Sequence, residues 1–290
     1  MLSGLVSAMR PRQWTKNVFV LAPLVFAQSL TDPAALVAAT VAFAAFCMAA
    51  SAVYLFNDLR DREEDRNHPL KRLRPIASGR VSTTVAGVAS VALAVGSLAA
   101  AAALGASVAI VVALYLALNA LYSLGLKTVA ILDVLLLSVG FVLRVLGGGE
   151  AIGVAVSAWL LLCTIFVSLL LAVAKRRHEL ILLAGDASDQ RRVLDHYSPL
   201  LLDQMINVVT AGSVLAYALY SISPETVERF HTQYLVYTIP FVLFGIFRFL
   251  YLVYQSTSDL NPTESMLQDV PFMANMLLWA ATVLAIIYLA

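Results

Sequence analysis

Long apolar runs broken by short polar interruptions make up most of the chain, and each run is about as long as a bilayer crossing. The runs are apolar around the whole helical period and do not alternate residue by residue, which fits spanning helices and not barrel strands. A spanning helix needs roughly 20 apolar residues. Nine segments come near that length: residues 17–30, 35–57, 84–103, 107–124, 129–149, 157–175, 200–221, 234–254 and 270–289. The first is short, and Pro23 is placed to kink it. The third and fourth share one apolar stretch, divided at "LGAS" (Leu104 to Ser107) because a continuous helix would be too long for one crossing. The pattern predicts an all-α polytopic membrane protein of nine transmembrane helices, with residues 1–290 forming a single integral membrane domain.

Composition agrees. The 290 residues are 61% hydrophobic and 13% charged, against about 45–50% and about 25% in soluble domains. Cys47 and Cys163 lie inside apolar runs and suggest neither a disulfide framework nor a zinc site. The opening "MLSGLVSAMRPRQWTKN" has its first cation at Arg10 and leads into more membrane sequence, unlike a secretory leader. The net charge of +1 says little, but its distribution orients the chain. Arg10, Arg12 and Lys16 precede the first span, and Arg60, Arg62, Arg66, Lys71, Arg72, Arg74 and Arg80 come after the second. Lys127 comes after the fourth, and Lys175, Arg176, Arg177, Arg191 and Arg192 after the sixth. These are sixteen of the nineteen Lys and Arg, all on one side; only Arg229 lies in an opposite loop, and Arg144 and Arg248 fall within spans. The positive-inside rule makes the rich side cytoplasmic, with the N-terminus inside and the C-terminus outside. The loop from Gln255 to Asp269 dissents, since it should be cytoplasmic yet has no Lys or Arg.

Charge is densest in "YLFNDLRDREEDRNHPLKRLRPIASG" (Tyr54 to Gly79). On a helix, Asn57, Asp61 and Asp65 at i, i+4 and i+8, with Asp58 beside them, share one face. Like charges so placed repel, and desolvation at a membrane edge adds to the cost. A divalent cation relieves both, and hard carboxylate and amide oxygens suit Mg2+. The plainer reading is a solvated helix end laced by Arg60, Arg62, Glu63, Glu64 and Arg66. The stretch after the acidic line keeps the metal reading open: "HPLKRLRP" supplies cations close by, and carboxylates that hold Mg2+ beside Lys and Arg that hold phosphate would make a diphosphate site.

These residues resemble the UbiA superfamily of intramembrane prenyltransferases. Asn57-Asp58-x-x-Asp61-x-x-x-Asp65 matches its first aspartate-rich motif, and Tyr122 with Lys127 looks like its Tyr-and-Lys element. A second aspartate cluster is missing after the fourth helix, where only Asp133 remains. Asp133 and Arg144, 11 residues apart, share a helical face and are expected to be able to pair. "RPRQWTKN" (Arg10 to Asn17), "HPLKRLRPIASG" (His68 to Gly79) and "AKRRHEL" (Ala174 to Leu180) resemble more narrowly the decaprenyl-phosphate phosphoribosyltransferase branch.

The resemblance implies a UbiA-like bundle and transfer of 5-phosphoribose from phosphoribosyl diphosphate (PRPP) to a polyprenyl phosphate, with Mg2+ as cofactor. Asn57, Asp58, Asp61 and Asp65 are then the expected metal ligands, and Asp58, Asp61 and Lys127 the catalytic set. Lys16, Asn17, Arg74, Tyr122, Lys127, Asp133, Lys175 and Arg176 are expected to bind substrate. Independently, PRPP and a lipid phosphate bring three phosphate-bearing groups, and three cationic segments suit so anionic a pair. A prenyl diphosphate joined to an aromatic acceptor is the alternative chemistry. A transporter with Asp133, Arg144 and Arg248 as charged gates is the alternative class, and it leaves the acidic line without a purpose. His68, His178, His196 and His231 lack metal-ligand spacing, and Trp14 and Trp159 read as interface anchors.

Overall fold

The computed structural model describes residues 2–68, 71–183, 192–255 and 262–289. Those residues form helices joined by turns, with no strand among them. Eight helices among them are long and apolar enough to cross a bilayer. They cluster into two compact units, Met1–Lys127 with Val139–Val156, and Thr128–Ser138 with Ser157–Ala290.

The first unit opens with α1 (Leu2–Met9), a 3-10 segment (Pro11–Leu21) and α2 (Ala22–Phe26). It continues with α3 (Pro33–Arg60), α4 (Arg62–Asn67), α5 (Thr83–Leu104) and α6 (Ala106–Leu124), and it takes the later part of α7 (Leu132–Ala151). Helix α3 is its axis. Asp32 caps it, accepting from the Ala34 N–H at 2.9 Å, and Pro33 fits the first turn. Ala39, Ala42, Ala45, Ala49 and Ser51 are buried along it, and such small residues let membrane helices approach closely. One tie to α5 is the Ser90 hydroxyl, which donates to the Ala52 carbonyl at 2.8 Å. Helices α5 and α6 part at Gly105, whose φ of 146° suits glycine alone. This is the break expected at "LGAS".

The span expected at 17–30 takes another form. It is wound mostly as a 3-10 helix and is not among the eight long helices. Eleven residues at about 2.0 Å and five at about 1.5 Å still reach about 30 Å, a hydrocarbon core's thickness. Tertiary contacts hold the tighter winding. The Trp14 indole donates to Ser51 at 3.1 Å, so this side chain ties the segment to α3. The Val20 carbonyl lies so close to α7 that a Cβ on Gly148 would fall 1.9 Å from its oxygen.

The second unit comprises the start of α7, α8 (Ala158–Leu183), α9 (Pro199–Ile222), α10 (Pro224–Phe230), α11 (Ile239–Gln255), α12 (Pro262–Gln268) and α13 (Val270–Leu289). Helices α8 and α9 share a core of Leu170, Val173, Leu202, Ile206 and Val209. Helix α8 runs beyond the predicted end at 175 and carries Lys175, Arg176 and Arg177 on its last turns. Arg248, expected inside a span, makes a bidentate pair with Asp269 at 3.0 and 2.8 Å. Asp269 also accepts from the Phe272 N–H at 2.8 Å, fixing the start of α13. Its hydrogen bonds to Arg248 hold that carboxyl below its ordinary value. The intramembrane cation is therefore a tie between helices, which removes one support for a charged gate. In the dissenting loop, residues 256–261 lie outside the described residues, as does Arg191.

Gly148→Ala is expected to destabilise the first unit by about 1–3 kcal/mol through overpacking against the 3-10 segment. Gly87→Ala, where nothing lies within 4 Å, is expected to be neutral or mildly stabilising. Thermal unfolding in detergent checks both; equal midpoints for the two variants would refute the close approach.

Candidate active site

The acidic line does not lie on one continuous helix. Helix α3 ends at Arg60, Asp61 caps it with φ −85° and ψ 6°, and α4 begins at Arg62. Backbone bonds nevertheless carry through, from the Asp61 N–H to Asn57 at 2.9 Å and from the Asp65 N–H to Asp61 at 2.7 Å. The helix macrodipole explains the break. Carboxylates are unfavourable near a helix C-terminus and favourable near an N-terminus. Restarting the helix at Arg62 places Glu63, Glu64 and Asp65 in a first turn. Asp58 stays in the last turn of α3, only 2% exposed, and needs compensation from elsewhere.

Cations supply it. Arg10 Nη2 meets Asp58 Oδ1 at 2.6 Å, and Arg74 Nη1 bridges Asp58 Oδ1 at 3.2 Å and Asp65 Oδ2 at 2.7 Å. Lys127 Nζ sits 2.7 and 2.8 Å from the two oxygens of Asp61, and Asn57 Nδ2 donates to Asp61 Oδ2 at 3.0 Å. The basic half of the motif thus folds back onto the acidic half. Its loop is anchored by Ile76, buried among Ala8, Leu55, Val81 and Ala86, and clipped by Arg66, which donates to the Ala77 carbonyl at 3.2 Å. Pro69 and Leu70 lie outside the described residues. Arg10 was read only as a loop charge in a matched segment; its nearness to Asp58, 48 residues on, has no local signature.

Lys16 lies on the 3-10 segment and Tyr122 in the last turn of α6, five residues before Lys127. Asn17 is fully buried and engaged, donating to Cys47 Sγ at 3.2 Å and accepting from Arg144 Nε at 2.7 Å. Arg144 also donates to the Gly140 carbonyl and the Tyr115 hydroxyl, both at 2.8 Å, and lies over the Tyr115 and Phe141 rings. No carboxylate reaches it among the described residues.

The expected Asp133–Arg144 pairing does not form. Asp133 belongs to the second unit and is paired there. Its Oδ2 accepts from Arg176 Nε at 2.6 Å and its Oδ1 from the Tyr197 hydroxyl at 2.7 Å. Both charges are buried, at 0% and 1% exposure, where a pair needs its remaining lone pairs and protons satisfied. Glu179 takes Arg176 Nη1 at 2.6 Å and lies 3.7 Å from Lys175. The Tyr197 oxygen also accepts from the Ile131 N–H at 2.6 Å, at a β-branched residue held at φ 70°. Burial, and then the bond to Asp133, push the Tyr197 hydroxyl up to about 12, so it remains a donor at neutral pH.

An acid–base cluster at the end of a membrane helix, built on Asn-Asp-x-x-Asp-x-x-x-Asp with a lysine brought in from beyond the fourth long helix, can be set against known proteins. The sequence profile of the UbiA prenyltransferase family matches residues 17–279. The chain belongs to that family. With eight helices among the described residues long and apolar enough to cross a bilayer, it is an integral membrane protein.

Two relatives in this family match almost end to end. A protein of Mycolicibacterium smegmatis named decaprenyl-phosphate phosphoribosyltransferase is 38% identical over 99% of this chain and 93% of its own. Its namesake in Corynebacterium glutamicum is 36% identical over 99% and 87%. A UbiA homolog from Archaeoglobus fulgidus, solved bound to GPP and Mg2+, aligns with a TM-score of 0.75 at 19% identity, over 98% of this chain and 99% of that one. An apo UbiA homolog from Aeropyrum pernix gives 0.70 at 17%, over 92% and 97%. At those identities the likeness shows the fold.

Donor chemistry of the acidic line fits a hard divalent ion. Among the described residues no three His, Cys, Asp or Glu side chains converge as a ready metal cage. Mg2+ does not require one, since it commonly takes one or two carboxylates and completes its shell with water and substrate phosphate. Asp58 and Asp61, each now against a cation, can provide those oxygens.

Burial holds the Asp65 carboxyl above its ordinary value, with Arg74 opposing. The folded chain therefore favours the protonated form more than the unfolded chain does. That contribution to stability is present at low pH and lost as pH rises through the raised value. Asp65→Asn removes it, so the melting-temperature difference, variant minus wild type, is expected to increase as pH rises above the ordinary Asp value of about 4. A difference independent of pH would refute this.

Proposed function

We propose that this UbiA-family protein transfers 5-phosphoribose from PRPP to a polyprenyl phosphate and releases diphosphate, with Mg2+ as cofactor. The observation that carries the proposal is the pairing of Asp58 and Asp65 with Arg10 and Arg74, and of Asp61 with Lys127, which offers metal oxygens and phosphate donors at one helix end. The near full-length relatives favour PRPP as donor and a decaprenyl-type phosphate as acceptor.

In this reading the bond from ribose C1 to diphosphate oxygen breaks as an oxygen of the lipid phosphate bonds to C1, with inversion. Bound Mg2+, held by Asp58 and Asp61 with Asn57 and Asp65 assisting, would neutralise charge on the leaving diphosphate. Lys127 and Arg74 supply fixed positive charge to phosphate oxygens, acting where charge develops. Lys16, Tyr122, Lys175 and Arg176 are further candidates for the substrates. The Asp133–Arg176–Tyr197 network holds Arg176 in one orientation. Asn17 positions the 3-10 segment that carries Lys16. No general base is required, because the lipid phosphate is ionised near neutral pH. The excess of Lys and Arg in alternate loops supports a site at the cytoplasmic face of a bacterial inner membrane, N-terminus inside and C-terminus outside.

Purified protein incubated with labelled PRPP, Mg2+ and a polyprenyl phosphate is expected to place label in the lipid phase. Turnover of geranyl diphosphate with 4-hydroxybenzoate and no lipid label would overturn the reading. Asp61→Asn is expected to lower the rate at least about 100-fold; full activity in that variant would exclude Asp61 as a metal ligand.

A further inference from the structure

Each carboxylate of the acidic line faces at least one cation, Arg10, Arg74 or Lys127, so its charge is already balanced by a neighbour. This balance constrains how ligands enter. A divalent ion arriving alone must compete with those cations for the carboxylates and adds positive charge to a poorly solvated site. A diphosphate arriving alone meets three carboxylates. Each ligand removes the obstacle to the other.

At Asp58 the displaced cation is identifiable. Arg74 makes its shorter contact with Asp65, 2.7 Å against 3.2 Å to Asp58, and Lys127 is engaged by Asp61. Arg10 makes the 2.6 Å contact with Asp58. Its guanidinium lies 5.0 Å over the Tyr54 ring, and its side chain keeps 31% exposure against 2% for Asp58. Its backbone is left-handed, φ 55° and ψ 60°, a costly conformation for a residue with a side chain and one that the adjoining Pro11 opposes further. The chain thus holds a partly exposed cation, on a strained turn, against the most buried carboxylate of the line.

We propose that Arg10 is a placeholder for the metal. It neutralises Asp58 while no metal is bound, and it passes to a phosphate oxygen when metal and diphosphate enter together. The inference rests on the reading that the acidic line takes a metal-bound diphosphate; it holds whichever diphosphate is the donor.

Mn2+ retained by the detergent-solubilised full chain in equilibrium dialysis, with and without inorganic diphosphate, tests this. Wild type is expected to bind Mn2+ alone at least about tenfold more weakly than Mn2+ with diphosphate. Arg10→Gln is expected to move the two arms in opposite directions, tightening Mn2+ alone by about tenfold and weakening Mn2+ with diphosphate by about tenfold. Misfolding would weaken both. Arg10→Lys, which keeps the charge, should stay within about threefold of wild type on the metal-only arm. Metal-only binding that is unchanged or weaker in Arg10→Gln would overturn the proposal. So would a wild type that binds Mn2+ equally well in both arms. Failure of the underlying reading shows separately, as Mn2+–diphosphate binding indifferent to Asp61→Asn.

Discussion

A carboxylate in the last turn of a membrane helix is doubly disfavoured, by the dipole of its own helix and by the loss of water. Asp58 is in that position, and much of the first unit is arranged around it. Arg10 comes from the turn after α1, Arg74 from the loop after α4, and Lys127 from beyond α6 to the neighbouring Asp61. Arg10 and Lys127 lie 48 and 66 residues from their partners, so the full cluster exists only when the helices carrying it are packed. The same requirement accounts for the buried Ile76, for the clip from Arg66 to Ala77, and for the left-handed turn at Arg10. The clip and the turn place cations, and Ile76 anchors their loop in a small apolar core.

The unit has a second, deeper set of polar contacts with a different purpose. Arg144 is surrounded by neutral acceptors and aromatic faces, and it joins α7, α6 and the 3-10 segment through Gly140, Tyr115 and Asn17. A guanidinium remains charged in the membrane, so its donors must be met by fixed partners. The N-terminal segment, too short as an α-helix to resemble its neighbours, is held by these bonds and by the cleared space at Gly148. In the second unit the Asp133–Arg176 pair does comparable work at the start of α7, with Tyr197 binding both the carboxylate and the strained Ile131 backbone.

Hydropathy alone located eight of the helices closely, including the division at Gly105, because in lipid every backbone group must be bonded within its own helix and length tracks bilayer thickness. The acidic spacing and its adjoining basic run are visible in the sequence for the same local reason: their residues are neighbours on one helix end and one loop. What sequence determined was therefore whatever depends on local periodicity and composition, which are the spans, the motif and the kinship. Tertiary structure decided the partners. It paired Asp133 with Arg176 instead of Arg144, broke the acidic helix at Asp61, wound the first span as a 3-10 helix and brought Arg10 to Asp58. Those outcomes depend on which helices pack side by side, and a carboxylate in a membrane takes the nearest cation that packing supplies.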